Sequence, residues 1–537
     1  MYKTRAMNRF ISTLCTSLPL TLLASTALAQ MPINVDLSKP VNVLTSQLIG
    51  AYAQQGDGDL LDPQSLARMR AAGLTTISYP TGWDSMSSVY HWSTNSITPK
   101  AGNASAPKAP YVNPGNDFGH VAMALQKVGI TTLVHVNYGS SLKGGGGEPK
   151  EAAAWVAYAN GSASDTHAIG ADSTGQDWKD IAFWATLRGS APITPDDGYN
   201  FLRINHPDPF HVMLWEVGED EANNGFYGGD HKGTLDMHAA YPASANDNEK
   251  RRKAHELSPT FYGEQTAAYI AAMKAVDPSI KIGASLTTPT VDTFASDWNT
   301  SVLKAACKDL DFVAFSWHPG NAQAPDYKTL DDSSVLSAPA AQLPQILSEY
   351  LDETKHACPA GKTPRVVFSD FSPIPWAKMQ EPVVPALFAA ETFAILAESG
   401  TSAANWSQLR DGGLLDKDKP LPPYYGIQML HIVAFRPGDA FVSTTGAKGS
   451  IVAFATRRVD GVAGVLLENQ DPKQTQQVRL NITGADLAGT GVRFDYGRAQ
   501  LAKSSGPEKS DVKTDGNSIT VSVPPYGIVD LLLALKK

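Results

Sequence analysis

The sequence predicts an α/β chain: a parallel (β/α)8, or TIM, barrel followed by a C-terminal antiparallel β-sandwich domain. Three observations predict it. Eight short β-rich runs are separated by amphipathic stretches over most of the chain. No glycine-rich phosphate turn follows an early strand, as a doubly wound open sheet would require. After about Pro437 the pattern changes to short runs alternating apolar and polar residues, with turn signals between them.

Residues 1–29 read as a secretory leader. Lys3, Arg5 and Arg9 precede an apolar run reaching Leu23, and Ala27-Leu28-Ala29 has the small-x-small form of a signal-peptidase site. That run is too short to span about 30 Å of hydrocarbon. The expectation is an exported chain starting at Gln30, secreted or periplasmic, without a membrane span. The eight barrel strands are expected at 47–53, 75–80, 131–139, 211–218, 281–286, 311–317, 365–370 and 402–407. Helices are expected at 63–72, 117–128, 149–159, 262–276 and 385–399. Gly144 to Gly147 lack a phosphate-binding Lys-Ser/Thr and read as a rim loop. Segments 222–260 and 318–345 read as long polar loops around a cleft. The barrel domain then spans 30–436 and the sandwich 437–537, with NVDLSK (34–39) returning to complete the sandwich.

A formal net charge of −9 without a Lys/Arg block argues against nucleic acid or anionic lipid as partners. Loss of the leader removes three bases and no acids. Ten Trp and eighteen Tyr suit a surface that stacks on sugar rings, although core packing uses the same residues. Cys15 leaves with the leader. Cys307 and Cys358 remain as an even pair in an oxidising compartment and read as one disulfide, or as two buried thiols. No Cys/His cluster has metal-ligand spacing, so neither a metal nor a cofactor is expected. Nothing in the pattern specifies an oligomeric state.

Functional residues of such a barrel lie at the C-terminal ends of its strands. Those ends present Tyr79 and Trp83, Asn137 and Tyr138, Glu216 with Glu219 and Asp220, Trp317 and His318, Asp370, and Trp406. Carboxylates thus stand on the fourth and seventh strands, among aromatics and amides. Glycoside hydrolysis uses two facing carboxyl groups, one protonating the leaving oxygen and one attacking or activating water. Aromatic faces suit the C–H side of sugar rings.

Several ordered blocks carry a resemblance. They include YVNPGNDFGHVAMALQKVG, DWKDIAFWATLR, LWEVGED with NNGFYGG, DFVAFSWHP, ALFAAETFAILAESG and VSVPPYGIVDLL. With these the chain resembles clan A glycoside hydrolases, in particular the α-L-arabinofuranosidase-like proteins related to family 51. The resemblance implies a barrel with a terminal β-sandwich, and a carbohydrate as the partner. The family's W-E-V-G-N-E implies a 2-hydroxyl-binding Asn and an acid/base Glu, where this chain has Glu219 and Asp220. The family's nucleophile, a Glu, is matched by Asp370. Its H-x-Y is matched by Ser316-Trp317-His318, and its R-Y-P-G-G by Ser78-Tyr79-Pro80-Thr81-Gly82.

Each Glu-to-Asp change retracts a carboxylate by about 1.5 Å, one carbon–carbon bond. Applied to a retaining pair about 5–5.5 Å apart, two retractions give roughly 7–8 Å, inside the inverting range. The expectation is single displacement, with Asp220 as the acid and Asp370 holding water. Glu219 and Glu221 would raise the proton affinity of Asp220. Glu216 matches the first, non-catalytic Glu of the motif and is expected beneath the site. His318 falls where the family has a Tyr contacting the nucleophile, and is expected to orient or titrate Asp370. His91 reads as a scaffold position. The altered signature leaves two alternatives: a catalytically inactive relative serving as a carbohydrate-binding or envelope accessory protein and, third in order, a non-hydrolytic enzyme such as a lyase or transglycosidase.

Overall fold

The computed structural model describes residues 30–536 except 45–48, 55, 59, 82–89, 98–111, 139–146, 220, 222–257, 290–294, 320–328, 374–377, 411 and 435. The leader, the glycine run up to residue 146 and loop 222–257 therefore lie outside the described residues. Among those described, no helix is long and apolar enough to cross a membrane.

Eight parallel strands form the barrel: Ile49–Gln54, Thr76–Thr81, Thr131–Val136, Leu214–Val217, Lys281–Leu286, Phe312–Trp317, Arg365–Phe371 and Ala403–Trp406. Each pairs with the next in the chain, and the eighth closes on the first through Ala404 opposite Ile49. Their side chains alternate between the barrel interior and the helical layer. Leu133, Leu214, Phe312, Ala314, Val367 and Ala403 form one apolar cluster, the lower layer of the interior. Gly283 is required there: a Cβ would stand 2.2 Å from the Phe312 ring.

Local signals set the helices around it. Asp62 accepts from the Gln64 and Ser65 amides, Pro63 occupies the first turn, and Gly73 closes Pro63–Ala72 in the left-handed conformation. Helix Pro149–Asn160 buries nearly every residue, stacking Trp155 on Trp92 at 5.7 Å. Arg188, on helix Ile181–Gly189, donates to the main-chain carbonyls of Tyr158, Gly161, His206 and Pro207. It thereby pins the segment that leads into the fourth strand. One expectation fails. The stretch read as loop 318–345 contains the start of a 26-residue helix, Asp332–Ala357. Asp331 caps it, and Pro339 and Pro344 lie inside it. Proline usually breaks a helix, but here burial of Val335, Leu336, Pro339 and Leu343 holds the turn that carries both.

Cys307 and Cys358 immediately follow helices Ala295–Ala306 and Asp332–Ala357 and are joined as a disulfide, with Cα atoms 5.4 Å apart. Both precede barrel strands, which puts the bridge at the barrel end opposite the strand C-termini.

The second unit is a nine-stranded sheet folded over itself as a β-sandwich. Strand Met31–Val43 inserts between Ala440–Thr445 and Gln476–Thr483. It pairs antiparallel with the former and parallel with the latter, the one parallel pairing in an otherwise antiparallel sheet. One face of the sheet encloses its own core, including Val35, Val465, Leu467, Val529 and Leu531. The other carries Leu466, Tyr496 and Ile528 into the barrel's hydrophobic cluster. Helix Val384–Glu398 lies at that seam and is buried on nearly all sides.

Candidate active site

Alternation from the apolar layer fixes what faces the upper interior. Two residues beyond Leu133, Leu214, Ala314 and Ala403 come His135, Glu216, Ser316 and Asn405. His135 and Glu216 are neighbours in register and wholly buried, with His135 Nδ1 3.2 Å from Glu216 Oε2. Glu216 therefore belongs under the mouth. Gly50 makes room for Asn405, whose Oδ1 would lie 1.7 Å from a Cβ there.

Asp370 reaches the interior by a different route. Strict alternation from Val367 would place Ser369 inward and Asp370 outward. The register slips between Phe368 and Asp370, so Asp370 lies opposite the inward Ser316. A β-bulge re-aims a side chain in this way, and it delivers the carboxylate to the mouth. Two partners hold it there. His318 Nε2 lies 3.1 Å from Oδ2, and the Ser407 hydroxyl donates to Oδ1. His318 Nδ1 lies 3.1 Å from the Ser372 carbonyl oxygen. The Asp370 side chain is 20% exposed and that of His318 32%, so the pair opens to the mouth.

The acidic stretch after the fourth strand folds onto itself. Gly218 adopts a φ of 71°, and the Glu221 carboxylate accepts the Glu219 amide at 3.2 Å. A side chain on Gly218 would collide with that carboxylate, whose Oε1 stands 2.2 Å from the Cβ position. Glu219 and Glu221 are both buried. Behind them Tyr262 donates to the Val217 carbonyl (2.6 Å) and accepts the Ser285 amide (2.8 Å), tying the fourth strand to the fifth. Burial pushes the Tyr262 hydroxyl well above its ordinary range, and the nearby carboxylate of Glu221 adds to this, so it stays a donor.

Asn137 stands at the end of the third strand, buried, with its amide nitrogen 3.5 Å from His91 Nε2. His91 Nδ1 lies 3.0 Å from Glu151, whose other oxygen accepts the Gly147 amide at 2.6 Å. His91, expected only as scaffold, thus backs a mouth residue. Ser407 ends the predicted strand 402–407 but was not among the expected site residues; the strand-end rule that selected Trp406 applies to it equally.

Four of the rings expected at the strand ends pack into the protein. Tyr79 is wholly buried and donates to the Asn116 carbonyl (2.6 Å). Tyr138 meets Tyr262 edge-on at 5.0 Å. Trp317 stacks on Phe388 at 5.6 Å and donates to Gln342. Trp406 packs against Phe371 and Phe388. All four sit at positions directed to the helical layer, where their faces are taken by other rings. Asp220 and Trp83 lie outside the described residues. Metal-binding groups of three or more His, Cys, Asp or Glu are absent among those described.

A closed (β/α)8 barrel with this sandwich is a glycoside hydrolase-like fold. No family model matches the chain, and no curated protein matches it in sequence. Solved structures do. The α-L-arabinofuranosidase from Thermotoga maritima, in its arabinose complex, superposes with a TM-score of 0.66 at 16% identity, over 94% of this chain and 100% of that one. The GH51 arabinofuranosidase from Xanthomonas axonopodis pv. citri gives 0.66 at 16% identity, over 94% and 99%. A Paenibacillus polymyxa xyloglucanase of glycoside hydrolase family 44 gives 0.60 at 13% identity, over 94% and 100%.

Proposed function

We propose that this chain is an exported glycoside hydrolase, arabinofuranosidase-like, that cleaves a polysaccharide or oligosaccharide with Asp220 and Asp370 as its carboxyl pair. The observation that carries the reading is Asp370. A bulge turns it into the barrel mouth, two side chains hold it, and it keeps access to solvent. A carboxylate serving only as a strand-end cap needs none of these. Asp220 follows the fourth strand and is assigned to protonate the leaving oxygen, while Asp370 activates water on the opposite face. Glu219 and Asn137 border the same mouth and are assigned to sugar hydroxyls. Two-carboxyl hydrolysis of this kind uses no cofactor. The disulfide supports passage through an oxidising compartment, as the leader-like residues 1–29 imply.

One observation favours the alternative of a non-catalytic carbohydrate-binding relative: the four packed rings offer no stacking platform. A panel of polysaccharides and aryl glycosides, with wild type, Asp220→Asn and Asp370→Asn, separates the readings. Turnover abolished by both changes supports the pair, and product-anomer analysis by NMR should then show inversion. Binding without turnover supports the accessory role. Undiminished turnover in both variants would move the chemistry elsewhere.

A further inference from the structure

We propose that His318 is a positioning residue that meets Asp370 as an imidazolium, so that the working unit at the seventh strand is a neutral, proton-sharing pair and not a lone carboxylate. This rests on the assignment of Asp370 to the site. The argument is one of donor arithmetic. The Ser372 carbonyl can only accept, so the ring nitrogen 3.1 Å from it, Nδ1, carries a hydrogen. A neutral imidazole has a single N–H. With that hydrogen on Nδ1, Nε2 would turn a lone pair toward Asp370 Oδ2 at 3.1 Å. An ionised carboxylate is acceptor-only, so two lone pairs would face each other across a hydrogen-bond distance. The contact requires a proton between them.

That proton sits on Nε2 or on Oδ2. The rest of the surroundings select Nε2. Ser407 donates its hydroxyl to Oδ1, a hydrogen bond that is stronger to a carboxylate than to a neutral acid. Both side chains are partly open to water, which keeps the desolvation cost of an ion pair small. Among the described residues, Asp370 on the seventh strand is the charged group facing the Nε2 edge, and the Ser372 carbonyl faces the Nδ1 edge. The ring is therefore clamped at both nitrogens, and its orientation fixes that of Asp370.

The test uses full-length protein with 15N-labelled histidine, and the His318 signals are assigned by their loss in His318→Gln. At neutral pH both ring nitrogens of His318 should show one-bond coupling to hydrogen. In Asp370→Asn the carboxylate charge is gone, and one of the two couplings should disappear at the same pH. A single protonated nitrogen in the wild type overturns the proposal, as does double protonation that persists in Asp370→Asn. The readout needs no substrate, so a protein that cleaves nothing refutes the hydrolase reading while leaving this measurement to decide the pair. Where turnover is found, His318→Gln keeps a donor but not the charge. It should lower kcat with KM changed less than twofold, whereas an unchanged kcat overturns the positioning role.

Discussion

The seam between barrel and sandwich is expected to make the fold less stable as pH rises from acid to mildly alkaline. Glu391, on barrel helix Val384–Glu398, and Glu468, on sandwich strand Val462–Asn469, are both buried there. Among the described residues no cation pairs with either. The Gln470 side-chain amide bridges them, donating to Glu391 Oε2 at 2.8 Å and Glu468 Oε1 at 3.0 Å, and reaching the Leu336 carbonyl at 3.3 Å. Asp530, buried on the same sheet face, adds a third acid. Burial lifts the Glu391 carboxyl from 4.5 to about 8, and burial with the charge of Glu391 lifts Glu468 well above its usual range. Between pH 4.5 and 8 the fold then retains a proton that the unfolded chain releases, so stability falls through that window and is fully present below it. For the buried pair taken together the loss by pH 8 is on the order of a few kcal/mol. Glu391→Gln keeps the shape and an acceptor for Gln470 but has no proton to lose. Denaturant unfolding followed by tryptophan fluorescence at pH 5, 6.5 and 8 measures the difference. The variant should match the wild type near pH 5 and exceed it by a few kcal/mol at pH 8. Parallel pH curves for the two proteins would refute the reasoning, because the variant removes both the Glu391 proton and the charge that raises Glu468.

Two further perturbations test the scaffold. Gly50→Ala places a methyl 1.7 Å from Asn405 Oδ1 and 2.8 Å from the Thr76 carbonyl, so the first and eighth strands must move apart. A loss of about 1–3 kcal/mol is expected in denaturant unfolding, and an unchanged midpoint would show that the amide swings aside freely. Reduction of the disulfide, which spans a sequence separation of 51, should cost about 4 kcal/mol on chain-entropy grounds. Because the bridge lies at the end opposite the mouth, unfolding with and without reductant should differ while the His318 NMR signals do not.

The barrel was legible because its eight strands are short, mostly buried and spaced by helical segments, and register then follows from burial. The direction in which strand-end residues point was not. Tyr79, Trp317 and Trp406 sit at strand ends as the rule requires, yet each falls on the outward parity, which the strand-end rule does not distinguish. Asp370 shows the same ambiguity with the opposite result. Counting by twos from Val367 turns it outward, and only the slip at Ser369 restores it. A single extra residue inverts every later facing, and nothing in RVVFSDF marks where the bulge falls. The helix over 332–357 was missed for a related reason. Pro339 and Pro344 read as breakers locally, while the packing that overrides them comes from distant elements.

The bulge also bears on why an aspartate stands at 370, where the family resemblance read from the sequence implies a glutamate. In a regular strand residue 370 would face outward whatever its length, but here the bulge turns it to the mouth, where its carboxylate is held by His318 on one oxygen and Ser407 on the other. Asp370→Glu, nominally a restoration, would push the carboxylate about 1.5 Å beyond both partners. The added methylene cannot fold back, because Ser407 is anchored by its own amide to the Phe371 carbonyl at 2.8 Å, and His318 by Nδ1 to Ser372. Misplacement on this scale can lower turnover on the order of a hundredfold. On the proposed function, Asp370→Glu should therefore be far slower than the wild type on any substrate the wild type cleaves, and the His318 signals should shift as its partner moves. Turnover equal to or above the wild type would mean that the clamp does not set the reach of the carboxylate, and that the aspartate is a replacement the bulge tolerates and not one it requires.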